Sequence, residues 1–246
     1  MTKEKPVALI VGAGDYIGAA IAKRFASGGF KVCVGRRSFD KLTPLVREIK
    51  ENGGEAIPFE FDARKEDVTE KVFKEIENNI GPLDLVVFNP GGNVYFPISE
   101  TTSRVFRKVW EMSCFAGFLT GREAAKYMVP RKKGAIFFTG ATASIRGSSG
   151  YSAFASGKFG LRALSQSMAR ELGPENIHVA HLIIDAAVDT KFVRQLFLNK
   201  GTDPDTLPED TLMKPASIAE TYWNLFHQTK DGWTHEIDLR PFGEQW

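Results

Sequence analysis

Val7-Ala-Leu-Ile-Val11-Gly-Ala-Gly-Asp-Tyr-Ile-Gly18 is the stretch that decides how this chain folds. Val7 to Val11 is an unbroken apolar run, too short for a buried helix, and reads as a strand covered on both faces, as parallel strands are. Gly12 and Gly14 mark a tight turn. The helical pattern that follows leaves free N–H groups and the positive end of a helix dipole facing the space above the turn. Strand, glycine turn and helix in that order predict a phosphate-binding site. The spacing departs from Gly-x-Gly-x-x-Gly, because Ile17 stands where the third glycine belongs and Gly18 follows it.

Outward from that turn, short apolar runs alternate with longer helical patterns. Val32 to Val34, Ala56 to Phe61, Leu83 to Phe88, Ala135 to Thr139 and Val179 to Ile184 read as further strands, with a weaker last strand around Ile237. Leu42, Leu45, Val46 and Ile49, then Val68, Val72, Phe73, Ile76 and Ile80, are spaced for one helix face. Gly28-Gly29, Gly53-Gly54, Gly81-Pro82 and Gly173-Pro174 supply the stops. Pro58 predicts that the third strand lies at or near an edge, since proline cannot donate to a central ladder. Repeated β and α units with right-handed crossovers predict an α/β fold: one doubly wound parallel sheet with helices on both faces and a ligand crevice at the carboxyl ends of the strands. The expectation is one domain over residues 1–246, a length that suits a single core.

Composition narrows the partners. With 32 basic and 30 acidic residues the chain carries a net +2, which argues against nucleic-acid or membrane binding by bulk charge. Cys33 and Cys114 form neither a disulfide framework nor a metal-ligand spacing, and both read as buried thiols. His178 and His181, three apart in a strand, point to opposite faces, so no metal site is expected. Neither a secretory core nor a membrane span precedes Val7, and a cytoplasmic location is the expectation.

Gly150-Tyr-Ser-Ala-Phe-Ala-Ser-Gly-Lys-Phe-Gly160 carries the most telling local chemistry. Phe154 and Lys158 are four apart and share a helix face, so a phenol at 154 would sit where the lysine ammonium could lower its pKa. A benzyl ring stands there and can neither give nor take a proton.

With the glycine turn, Phe88-Asn-Pro-Gly91 after the fourth strand, and Phe154-x-x-x-Lys158, the chain resembles the short-chain dehydrogenase/reductase family from Val7 to about Asp238. The resemblance implies a Rossmann-type domain binding a nicotinamide dinucleotide. It implies cofactor contacts from Gly12, Gly14, Ile17 and Gly18, with Tyr16 in place of the motif's middle glycine, and from Asn89 and Gly91. Lys158 matches the lysine that holds the nicotinamide ribose, and Asp62, with Ala63 beside it, matches the acid that contacts adenine. Val188 and Thr190 fall in the stretch that packs on the carboxamide. Residues of about 186–213 fall where the family keeps a substrate lid, and the helices bearing Trp110 and Phe154 where it keeps subunit interfaces, which implies a homodimer or homotetramer.

The catalytic set departs from the family. Phe154 replaces its tyrosine, Ala141 its serine and Ser113 its helical asparagine, and Asp185-Ala186 stands where Pro-Gly ends the sixth strand. The chain looks like a divergent subgroup with an incomplete glycine motif and phenylalanine for tyrosine. Thr142, Ser113 through water, Tyr95 and Tyr151 are candidate proton donors in its place. At the end of the second strand, Gly35 stands where an NAD-type site has an acid, while Arg36 and Arg37 can meet a 2′-phosphate. NADP(H) is therefore expected over NAD(H), although Asp15 lies nearby. Two readings stay open: an oxidoreductase acting on a carbonyl or alcohol with an altered proton donor, and an NADP(H)-binding protein without turnover, serving as sensor, scaffold or partner subunit.

Overall fold

The computed structural model describes residues 4–243. Its strands are β1 (Val7–Val11), β2 (Lys31–Arg36), β3 (Glu55–Glu60), β4 (Leu83–Phe88), β5 (Gly134–Thr139), β6 (Ile177–Ile184) and β7 (Glu236–Leu239). The helices are α1 (Ile17–Ser27), α2 (Thr43–Glu51), α3 (Glu66–Asn79), α4 (Ser103–Trp110), α5 (Ala116–Arg131), α6 (Ser152–Leu172), α7 (Lys191–Asn199) and α8 (Pro215–Phe226). All strand pairs are parallel, in the order β3-β2-β1-β4-β5-β6-β7. The order reverses between β1 and β4, which opens the crevice at their carboxyl ends.

Side-chain alternation builds two cores from one strand. Ala8 and Ile10 of β1 pack with Ile21, Phe25, Val46, Ile49, Ile218 and Tyr222 from α1, α2 and α8. Val7, Leu9 and Val11 face the other way, onto Val72, Phe73, Met128, Leu161 and Met168 from α3, α5 and α6. Pro58 lies in the edge strand β3, opposite Val34 of β2, where its missing N–H costs no ladder bond.

Two local features depart from the regular pattern. Between α4 and α5 the helix widens into a single π turn over Glu111–Phe115, where Ser113 packs against the bare Cα of Gly157 on α6: a Cβ at 157 would lie 2.8 Å from that of Ser113. The other is the stretch containing α7, a helix without buried residues. Its ends are held by a bridge between Val188 and Met213, and Arg194 ties Asp189 to Asp205 at 2.6 and 2.7 Å.

Candidate active site

The glycine turn is fixed from both sides. The N–H groups of Gly12 and Ala13 donate to the Gly35 carbonyl at 2.9 and 3.0 Å, and the Asn89 amide donates to the Gly12 carbonyl at 3.0 Å. Gly12 has φ 78°, a conformation that favours glycine. Gly18 has no room for a Cβ, which would collide with the Gly12 carbonyl and the Ala13 Cα. The amino end of α1 carries no side-chain cap and no acid in its first turn, and Gly14, Tyr16, Ile17 and Gly18 line the crevice. That is an uncapped helix terminus open to an anion, and the phosphates of a dinucleotide fit it.

From the turn, a cavity of ≈ 270 Å³ runs to Arg36, Arg37, Asp62, Ala63 and Arg64. Arg36 is already engaged by Asp15 at 2.6 Å. Arg64 was not among the expected site residues, yet it grips both oxygens of Asp62 at 2.8 and 2.6 Å and holds that carboxyl below the usual carboxylate range. The Asp-x-Arg spacing was its only trace in the sequence. The end expected to meet adenine and a 2′-phosphate thus presents three guanidiniums and two carboxylates, Arg36 paired with Asp15 and Arg64 with Asp62.

In the other direction lies a cavity of ≈ 500 Å³, lined by Asn93, Ala141, Thr142, Arg146, Tyr151, Phe154, Lys158, Val188 and Thr190 among others, with Asn89 and Gly91 shared between the two. Lys158 is 3% exposed. Its Nζ donates to the carbonyls of Thr139 at 2.7 Å and Pro90 at 3.3 Å, and burial lowers its pKa to about 8. A Cβ at Gly91 would sit 3.3 Å from that Nζ and 3.8 Å from Cε2 of Phe154, so ring and amine lie side by side over one spot. Ala141 opens the short 3₁₀ turn Thr142–Ser144.

Other expected residues sit differently. Ser113 is fully buried, its hydroxyl has no partner among the described residues, and it lines neither cavity. The π turn has carried it behind Gly157. Tyr151 lies immediately before α6, and its ring meets that of Tyr95 edge-on at 5.4 Å. Cys33 is buried, its thiol pushed up to about 12, whereas Cys114, expected to be buried, is only half-buried. His178 reaches the Thr234 carbonyl and His181 reaches Glu236, on opposite faces of β6. Among the described residues no cluster of His, Cys, Asp or Glu is arranged to hold a metal ion, and no helix is long and apolar enough to cross a membrane.

Two couplings were invisible in the sequence. The Tyr16 hydroxyl accepts a hydrogen bond from the Lys191 N–H at 2.9 Å, joining the glycine turn to the first residue of α7. Asp185, noted only as a departure after β6, is 1% exposed and accepts a hydrogen bond from Thr142 on its Oδ1. Arg146 approaches the same oxygen at 3.4 Å, and Arg240 lies 3.3 Å from Oδ2. An acid closing an all-buried strand was the signal available.

Comparison with known proteins agrees with this geometry. The family model described as short chain dehydrogenase matches residues 6–201. A crystal structure of a short-chain dehydrogenase from Rhodopseudomonas palustris is 50% identical, with TM-score 0.82, covering 98% of this chain and 100% of that one. A metagenomic short-chain oxidoreductase in complex with NADP is 25% identical, with TM-score 0.82 and coverage of 96% and 97%. A 2-dehydro-3-deoxy-D-gluconate 5-dehydrogenase from Formosa agariphila is 30% identical over 174 residues, a stretch spanning 70% of this chain and 66% of that protein. The parallel sheet, the crevice at its switch point and these matches together make the chain a member of the short-chain dehydrogenase/reductase family.

Proposed function

We propose that this protein is an NADP(H)-dependent oxidoreductase that interconverts an alcohol and a carbonyl without the family's phenol. One observation carries the reading: two adjoining cavities sharing Gly14, Asn89 and Gly91, with Arg36, Arg37 and Arg64 at one end, an uncapped helix terminus in the middle and Lys158 at the other. A Cβ at Gly35 would lie 2.7 Å from the Phe61 ring, which leaves no room for the carboxylate of an NAD-type site. The metagenomic relative was crystallised with NADP.

A bound nicotinamide would supply the hydride for reduction of the carbonyl and accept it in the reverse direction. The chain's own part begins with Lys158, whose two hydrogen bonds to carbonyls leave a third N–H for the ribose hydroxyls. Val188 and Thr190 flank the nicotinamide end, and residues 186–213, latched to the glycine turn through Tyr16, act as the lid that excludes water. Of the hydroxyls that line the cavity, Tyr151 can give or take the proton, and Thr142, whose own proton lies on Asp185, can take one. A general acid contributes about 10²–10⁴-fold, whereas orientation of the reactants is worth about 7–11 kcal/mol, so loss of the phenol slows such a site without emptying it of catalysis. The same reading takes residues 1–246 as one domain, a cytoplasmic location, and a homodimer or homotetramer that covers the exposed Phe106, Trp110, Phe118 and Phe159.

A second reading, an NADP(H)-binding protein without turnover, is favoured by Phe154 and Ala141 standing where proton donor and substrate hydroxyl contact belong. The double change Ala141→Ser with Phe154→Tyr, assayed with NADPH against ketones, aldehydes and quinones, separates the two. Activity in the wild type, raised in the double variant, supports the enzyme. No activity in either, with NADPH bound, supports the second reading.

A further inference from the structure

We propose that the substrate end of the crevice recognises a small hydroxy acid, its carboxylate on Arg146 and a neighbouring hydroxyl on Thr142; this rests on the oxidoreductase reading above. Asp185 is the anchor of the arrangement. Its Oδ1 accepts from both Thr142 Oγ1 and Arg146 Nη2, so one buried carboxylate holds a hydroxyl and a guanidinium side by side on the crevice wall. The Arg240 guanidinium lies at Oδ2 of the same group. Arg240 is also paired with Asp238, so the two guanidiniums are balanced by two carboxylates, and Arg146 is the one that opens to the cavity, its side chain 44% exposed. Its bond to Asp185 is long, and the rest of its fork has no partner among the described residues. A planar fork with donors to spare matches a carboxylate.

The hydroxyl follows from the direction of the Thr142 bond. Its proton is committed to Asp185, so toward the cavity the oxygen can only accept, and a substrate O–H is the group that satisfies it. Asn93, Ser148 and Tyr151 add polar groups around the same end, while the ring of Phe154 and the methyl of Ala141 provide apolar wall for a carbon skeleton. The acid that lines this cavity directly is Asp15, at the glycine turn and paired with Arg36, while the buried Asp185 behind the wall is held by Thr142, Arg146 and Arg240. A volume of ≈ 500 Å³ that must also admit a nicotinamide restricts the partner to a small compound.

The test is direct binding, by calorimetry and thermal shift, on the full chain with and without NADP⁺. The probes are D-gluconate and D-glycerate against their neutral counterparts D-glucitol and glycerol, with sn-glycerol 3-phosphate and propionate as further arms. The expected result is at least ~10-fold tighter binding of each acid than of its polyol, as loss of a charge-assisted pair implies. Arg146→Gln should erase that preference and Arg146→Lys keep part of it. Thr142→Val should weaken the hydroxy acids while leaving propionate unchanged. Equal binding of acids and polyols, a preference that survives Arg146→Gln, or tighter binding of the phosphate ester than of glycerate would overturn the proposal. NADP⁺ binding is read separately in the same titrations: its absence removes the oxidoreductase reading, whereas the acid-to-polyol ratio without NADP⁺ still decides the role of Arg146.

Discussion

Replacing Lys158 by methionine keeps the length of the side chain and removes its charge from a site that is 3% exposed. Burial lowers the amine from 10.5 to about 8. At about 1.4 kcal/mol per tenfold change in proton affinity, folding with the ammonium charged costs about 3 kcal/mol at neutral pH. The sign follows from the protons bound. Below pH 8 both folded and unfolded chains hold the proton, so the cost is complete and constant. Between about 8 and 10.5 the unfolded chain binds more protons, so wild-type stability rises with pH relative to Lys158→Met, and above 10.5 the cost is gone. Loss of the bonds to Thr139 and Pro90 shifts the variant by a constant that does not titrate. Thermal melts of both proteins from pH 7 to 11 measure the difference, and other alkaline titrations cancel between them. A 3 kcal/mol swing corresponds to roughly 6–12 °C in Tm for a chain of this size. A difference that stays flat across the window, or that moves against the wild type, refutes the buried charged amine.

Two further outcomes follow from the proposed cofactor end and the proposed lid. Arg36→Asp should weaken NADPH binding by roughly 10- to 100-fold, the size of one lost charge-assisted bond, and NADH binding far less; equal losses in fluorescence titrations would remove the 2′-phosphate assignment. Tyr16→Phe removes the acceptor of the Lys191 N–H, worth about 1 kcal/mol, and should speed amide exchange at residues 186–213 by roughly fivefold while leaving β1 and β4 unchanged. Unaltered exchange in that stretch would mean the latch does not hold it.

The sheet was legible because its strands obey local rules. Val7 to Val11 is apolar at every position because both of its faces are covered, and Pro58 announced an edge because it lacks an N–H. The crevice residues were legible through the glycine turn and the 154/158 spacing. Long-range pairings were not. Tyr16 and Lys191 are 175 residues apart and meet only once α7 folds back over the turn; Thr142 and Asp185 meet because β5 and β6 are neighbours. Ser113 was matched to the family's helical asparagine through the resemblance alone, which carries no sign of its burial against Gly157 within a π turn. Arg64 escaped because an arginine two residues past an acid resembles a solvated loop until the two are seen gripping each other.

The most direct measurement of the central claim is titration of the purified protein with NADPH and, separately, NADH, following nicotinamide fluorescence and melting temperature. NADPH should bind at least ~10-fold more tightly than NADH and raise Tm with the logarithm of its concentration above Kd, because under the proposed reading the guanidiniums meet a 2′-phosphate that only NADPH carries. Binding of neither, or equal binding of both, would contradict the account.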